Sequence, residues 1–288
     1  MSEIPIAAHA LDRAVALSPD PAGCDGDWLA HTQPEWWNMV GPFGGISAAL
    51  MLQSALRHPQ LQGSPVALTV HYAAAIREGP MLLQAHPVRT SRSTQHWTLQ
   101  LSQFDADGAA QTVMVGTLMT ARRPNGWRGN DVPMPRVPAP EDLVGTGAAP
   151  EQLTWLQHYD PRVVCGGLPP VWGTEASADD ATDSLSLLWI RERPARALDY
   201  VALTARCDVF FPRIWLRRAR QIPAGTVTLT VYFHAVSQQL QDCGDDFVLG
   251  QARGQGYGDG FFDQSAQIWS RSGVLLATSH QLVYYKEN

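Results

Sequence analysis

The chain has 288 residues, of which 45% are hydrophobic and 17% charged, and a formal net charge of −6. That is a globular composition, long enough for one large core or two ordinary domains. The acidic balance and the lack of a long basic run argue against a nucleic-acid surface, and no apolar run reaches the roughly 18 residues of a membrane helix.

The opening stretch, MSEIPIAAHALDRAV, has no basic start ahead of an apolar core. No signal peptide is expected, and a cytoplasmic location is. Residues 8–17 and 27–33 read as short strands. Then comes WWNMVGPFGGISAALMLQSALRH, residues 36–58, in which Gly44 and Gly45 open an apolar helix over about 45–58. Its apolar residues cover more than one stripe, so it asks to be enclosed on most sides, and Pro59 helps to stop it. Four strands follow, at 65–76, 81–90, 94–104 and 109–122, with turns at REGP, RTSR and DADG. The first half is therefore a helix and a long antiparallel meander. Residues 123–150 are rich in proline and glycine and read as a linker or strap between a first domain, 1–122, and a second, 151–288.

The second half repeats the order. Strands are expected at 153–164 and 184–193, a helix at 197–209, and strands at 226–236, 246–258, 261–273 and 274–286. TVTLTVYFHA answers PVALTVHYAA, with Val66 and Val227 separated by 161 positions, and SRSG answers DADG. Two copies of helix plus meander make a pseudo-dimer.

GPFGGISAAL, WIRER…LDYVALTARCDVFFPRIW, TLTVYFH and SGVLLATSHQL, in this order, resemble acyl-CoA thioesterases of the double hot-dog type, the group that includes bacterial thioesterase II. The resemblance covers nearly the whole chain. It implies an α+β double hot-dog, two tandem antiparallel sheets each wrapped around a long helix, with acyl-thioester sites between the halves. It also implies a homo-oligomer, a small-molecule acyl thioester as partner, and coenzyme A as part of the substrate rather than as a cofactor.

The glycines then have two readings. They let a helix end lie close to a neighbour, or the free N–H groups of Gly44 and Gly45 polarise a thioester carbonyl. Trp36, Trp37 and Phe43 would line or lid the entrance. Members of the thioesterase II group hold and activate water with an aspartate, a threonine and a glutamine. The glutamine matches Gln281, the aspartate's position falls on Thr228 and the threonine's near Gln255, so the expected carboxylate is missing and Asp259 or Asp263 would have to replace it. Asp208 and Pro212 read as a capped turn after the second helix, and Asp199 as a residue favourable to that helix dipole. Asn38 either caps the glycine turn or bonds a ligand carbonyl. His71 and His234 occupy similar places in the two repeats, either as satisfied strand residues or as groups in the site. The second helix has no glycine pair at its entrance, which favours one working site.

Four scattered cysteines (Cys24, Cys165, Cys207, Cys243) and nine histidines offer no metal-ligand spacing. Arg217, Arg218 and Arg220 read as a solvated patch in preference to a site for a phosphorylated ligand. Three functions remain: thioester hydrolysis, a hydratase or dehydratase reaction needing a histidine beside a carboxylate near Gly44, and acyl or aromatic ligand binding without turnover. Ten tryptophans suit the last, or simply the core.

Overall fold

The computed structural model of the chain describes residues 8–124, 126–145, 153–168 and 183–286. In chain order the strands are β1 (Ser18–Pro19), β2 (Asp27–His31), β3 (Ser64–Tyr72), β4 (Pro80–Thr90), β5 (Thr94–Phe104), β6 (Ala110–Ala121), β7 (Tyr159–Cys165), β8 (Ser186–Glu192), β9 (Ala224–Phe233), β10 (Val248–Arg253), β11 (Tyr257–Gly258), β12 (Phe261–Ser270) and β13 (Leu275–Tyr285). The helices are α1 (Ala10–Ala14), α2 (Gly44–Leu56), α3 (Tyr200–Arg206), α4 (Arg213–Arg218) and α5 (Ser237–Cys243).

The strands form one continuous sheet rather than two tandem sheets. Its order is β1-β2-β4-β5-β6-β3-β9-β13-β12-β10-β8-β7, with β11 paired to β12. The seam is the antiparallel pair β3–β9, whose central register is Thr69↔Thr230. The flanking orders mirror each other across it, so β6 answers β13 and β5 answers β12. Each half is a meander because its strands alternate apolar and polar residues and its turns carry the needed glycines. Gly108 in DADG and Gly273 in SRSG have φ of +78° and +89°, the left-handed region that glycine adopts without strain.

The inner face of the sheet holds the core, which includes Leu68, Val70, Leu83, Leu99, Leu118, Leu229 and Val231 together with most of α2 and α3. α2 has 13 residues, nearly all buried, as its all-round apolar character requires. The helix of the second half is shorter than expected: α3 has seven residues, and α4 forms after a turn at Cys207–Pro212. Pro212 cannot continue an α-helix from the preceding residues. Residues 10–14 are helical, not a strand, and 154–158 form a 3-10 turn before β7. The linker crosses the second half as a strap. Trp189 Nε1 donates to Pro138 O at 2.9 Å and Trp269 Nε1 to Val132 O at 3.2 Å. Residues 125 and 146–150 of the expected linker lie outside the described ones. Among the described residues no helix is long and apolar enough to cross a membrane.

Candidate active site

The start of α2 meets the end of α3. A Cβ built on Gly45 would lie 2.6 Å from the carbonyl oxygen of Ala205, so only glycine permits this approach. The approach lays Asp208, just past the α3 cap, over the first turn of α2. A Cβ on Gly44 would stand 2.7 Å from Asp208 Oδ2. On its other side, Asp208 Oδ1 accepts from Gln281 Nε2 at 2.6 Å. The Tyr72 hydroxyl, at the end of β3, donates to Gly44 O at 2.7 Å. The carboxylate thus sits between the helix start of one half and the last strand of the other.

Burial pushes the Asp208 carboxyl up to about 7, against the opposing pull of hydrogen bonds from Gln281 and the Gly45 N–H. The positive end of α2 also favours the charged form. The Tyr72 hydroxyl and Cys207 thiol are pushed up chiefly by burial and further by the Asp208 charge.

The supports of this group are buried and polar. Arg206, at the end of α3, pairs with Glu192 of β8 through Nε–Oε1 at 3.1 Å and through Nη2–Oε2, with both side chains fully enclosed. Ser279 Oγ donates to Cys207 O at 3.4 Å. Ahead of the glycines, Phe43 stacks on Trp155 at 4.1 Å and Trp36 on His158 at 4.5 Å, with Tyr159 edge-on to both Trp36 and Phe43. The two halves are clamped together beside the site.

Gln264 is a further polar group in this part of the core. It sits on β12 directly opposite Gln281 and shares its inward face. It is 2% exposed, and among the described residues its Nε2 has no hydrogen-bond partner.

The N-terminal domain model of the acyl-CoA thioesterases matches residues 33–121, and the C-terminal domain model matches residues 135–285. The chain belongs to the acyl-CoA thioesterase family. Among solved structures it is similar to a conserved hot-dog protein of unknown function from Alicyclobacillus acidocaldarius, with 41% identity, a TM-score of 0.87 and coverage of 98% of this chain and 99% of that one. It also resembles in fold a putative thioesterase II from Thermobifida fusca (19% identity, TM-score 0.79, 98% and 99% covered). A third match is the acyl-CoA thioesterase II TesB2 of Mycobacterium marinum (17% identity, TM-score 0.70, 97% and 99% covered). Among curated proteins nothing matches.

The sequence-derived site residues of this thioesterase-family chain separate into two groups. Gly44, Gly45 and Gln281 come together, and the carboxylate they surround is Asp208, not a residue near Thr228. Thr228 pairs with His71 across the seam, one position from Leu229, which pairs with Gln281. Adjacent strand residues point to opposite faces, so Thr228 and His71 lie on the outer face while Gln281 lies on the inner one. Gln255 is exposed. Its N–H donates to Asp263 Oδ1 at 2.9 Å and its side chain reaches Ser265 at 3.4 Å, on the outer face. Asp263 closes that loop and Asp259 is an exposed turn residue with φ of +52°.

Phe43 and Trp36 are buried in the clamp and do not form a lid. Trp37 is half-buried, and its N–H donates to Thr154 Oγ1 at 2.8 Å. Asn38 holds the turn ahead of the glycines: its N–H donates to Gly41 O at 2.7 Å and its Oδ1 accepts from the Met39 N–H at 2.9 Å. His234 donates or accepts at Thr278 Oγ1, 3.1 Å away.

Sequence reasoning missed Asp208, and the signal that could have marked it is an acidic residue embedded in an apolar run, CDVFF. Gln264 carried another, a polar residue in phase with the buried Phe262, Ala266 and Ile268.

Proposed function

We propose that the protein hydrolyses acyl-CoA thioesters, with Asp208 as general base. The observation that supports this most is the 2.6 Å bond from Gln281 Nε2 to Asp208 at the start of α2. A base must be ionised yet still basic, and a carboxyl near pH 7 meets both needs. Asp208 takes one proton from a water whose oxygen attacks the thioester carbonyl carbon. Negative charge then develops on the carbonyl oxygen at the positive end of α2. Because the Gly45 N–H faces Asp208, Gly44 is the residue in this first turn to which we assign the oxyanion contact. Collapse breaks the carbon–sulfur bond, the thiolate takes the proton from Asp208, and a carboxylic acid and free coenzyme A leave.

We read the two halves as a double hot-dog, supported by the mirrored strand orders on either side of the seam. We also take the protein to be a cytoplasmic homo-oligomer, for which a monomer in light scattering is the contrary outcome. A dehydratase needs a histidine beside the carboxylate, and the geometry favours hydrolysis. His71 lies on the outer face, His58 bonds Asp25 O at 3.2 Å, and His158 bonds Glu35 O at 3.0 Å. Pure ligand binding loses its main support because Trp36, Trp97, Trp155, Trp189, Trp215 and Trp269 are buried packing residues.

The test is an assay of free thiol release from acyl-CoAs ranging from acetyl to palmitoyl. Turnover that falls by about 100-fold or more in Asp208→Asn is expected. Absence of turnover across the series overturns the proposal.

A further inference from the structure

We infer that Gln264 is a positioning residue for the attacking water, a role that rests on the hydrolytic reading of Asp208. The internal repeat carries the argument. The Thr69↔Thr230 pair relates Leu68 to Leu229, and these pair with Leu118 and Gln281 respectively. One strand further out, Leu118 pairs with Trp97 and Gln281 with Gln264. Gln264 and Gln281 therefore occupy the positions that Trp97 and Leu118 hold in the first half. His58 follows the cap of α2 as Asp208 follows the cap of α3, and its ring lies 5.0 Å from that of Trp97.

The fold thus accepts a large apolar side chain where Gln264 stands. Burying an amide there with an unpaired Nε2 costs stability and gives the core nothing in return. The equivalent positions in the second half hold three polar residues, Asp208, Gln281 and Gln264, where the first half has His58, Trp97 and Leu118.

The chemistry of a water molecule defines what the spare amide does. Water has two protons and two lone pairs. Asp208 accepts one proton. Gln281 directs its Nε2 to Asp208, which leaves its carbonyl oxygen to accept the other. A lone pair must be free to attack the thioester carbon, so one donor alone is wanted for the remaining pair, and Gln264 Nε2 is that donor. The attack direction is then set on all sides.

Gln264→Leu tests this, because the matching position already tolerates Trp97. Its kcat is expected to fall about 100-fold, the effect of a misplaced reactant, with KM within about twofold of wild type and an equal or higher Tm. An unchanged kcat, or a fall in kcat that accompanies a fall in Tm, overturns the assignment. Gln264→Glu adds a second carboxyl beside the first, and its acid limb in the pH–rate profile should move to higher pH. An unmoved limb also overturns it. A wild-type protein inactive on every acyl-CoA overturns the hydrolytic reading itself. Wild-type turnover with an unaffected Gln264→Leu overturns this inference alone.

Discussion

Thr69 Oγ1 and Thr230 Oγ1 lie 3.0 Å apart across the seam, and their separation in sequence is 161 positions, the period of the internal repeat. The residue that pairs with its own repeat image marks the pseudo-two-fold axis, and the six strands on one side of the main sheet path answer the six on the other, as α2 answers α3. The chemistry does not follow the symmetry. One side carries Asp208, Gln264 and Gln281 and the other His58, Trp97 and Leu118.

The first prediction follows from that difference. A non-hydrolysable acyl-CoA thioether should bind with a stoichiometry of one per chain in isothermal titration calorimetry. Two equal sites per chain would mean that the His58 side also receives substrate.

Asp208→Asn should lower kcat by about 100- to 10,000-fold, the range for loss of a general base. Its stability should change in the opposite sense. A carboxyl held at about 7 in the fold, against about 4 in the unfolded chain, keeps its proton in the native state after the unfolded chain has lost it. Wild-type stability from this group is therefore full below about pH 4 and falls as pH rises to about 7. Asparagine has no such loss, so the variant should gain on the order of 2–4 kcal/mol over wild type at pH 8 and little at pH 4. Urea unfolding at the two pH values measures this, and a variant equally stable or weaker at pH 8 contradicts it. Wild-type kcat should rise with pH through about 7 as Asp208 ionises.

Glu192 and Arg206 form an ion pair with no exposure on either side. Glu192→Ala leaves a buried guanidinium without its partner, which costs about 3–5 kcal/mol. Because Arg206 ends the helix that delivers Asp208, kcat should fall as well. A denaturation midpoint within error of wild type would show that the pair does not anchor α3.

Much of the fold was legible in the sequence, because long alternating strands and hairpin glycines are local signals. β3 to β6 and β12 to β13 fall close to their expected spans. α4 and α5 were not, since each has seven residues or fewer and no periodicity long enough to register. Residues 10–14 had too few turns to separate a helix from a strand. In the site, Gly44, Gly45 and Gln281 were legible. Asp208 was not read as chemistry because a carboxylate after a helix end usually caps a turn. Its meeting with Gln281, 73 positions away, is a long-range contact between the end of α3 and β13, which no local signal announces. Thr228 failed for a different reason: a shift of one residue along a strand moves a side chain to the other face.

The glycine pair gives the sharpest separation of packing from chemistry. Neither residue needs the left-handed region, so alanine is allowed by the backbone at both and gains helix propensity. The two methyl groups meet different neighbours. At Gly45 the methyl would lie 2.6 Å from the Ala205 carbonyl oxygen and 2.6 Å from the Phe43 ring. A backbone oxygen on a facing helix cannot swing aside, so α2 and α3 must move apart. Such overpacking costs about 1–3 kcal/mol. At Gly44 the methyl would meet Asp208 Oδ2 at 2.7 Å, with the Tyr72 hydroxyl at 3.4 Å. A carboxylate can rotate, but only by giving up its bond from Gln281. Gly44→Ala should therefore keep its Tm within a few degrees of wild type and lose about 100-fold in kcat. Gly45→Ala should lose several degrees in Tm, with activity falling as a consequence of the displaced helices. Thermal unfolding and single-substrate kinetics on the two variants supply both numbers. A Gly44→Ala protein with unchanged kcat would remove the α2 start from the reaction and leave it as a packing contact.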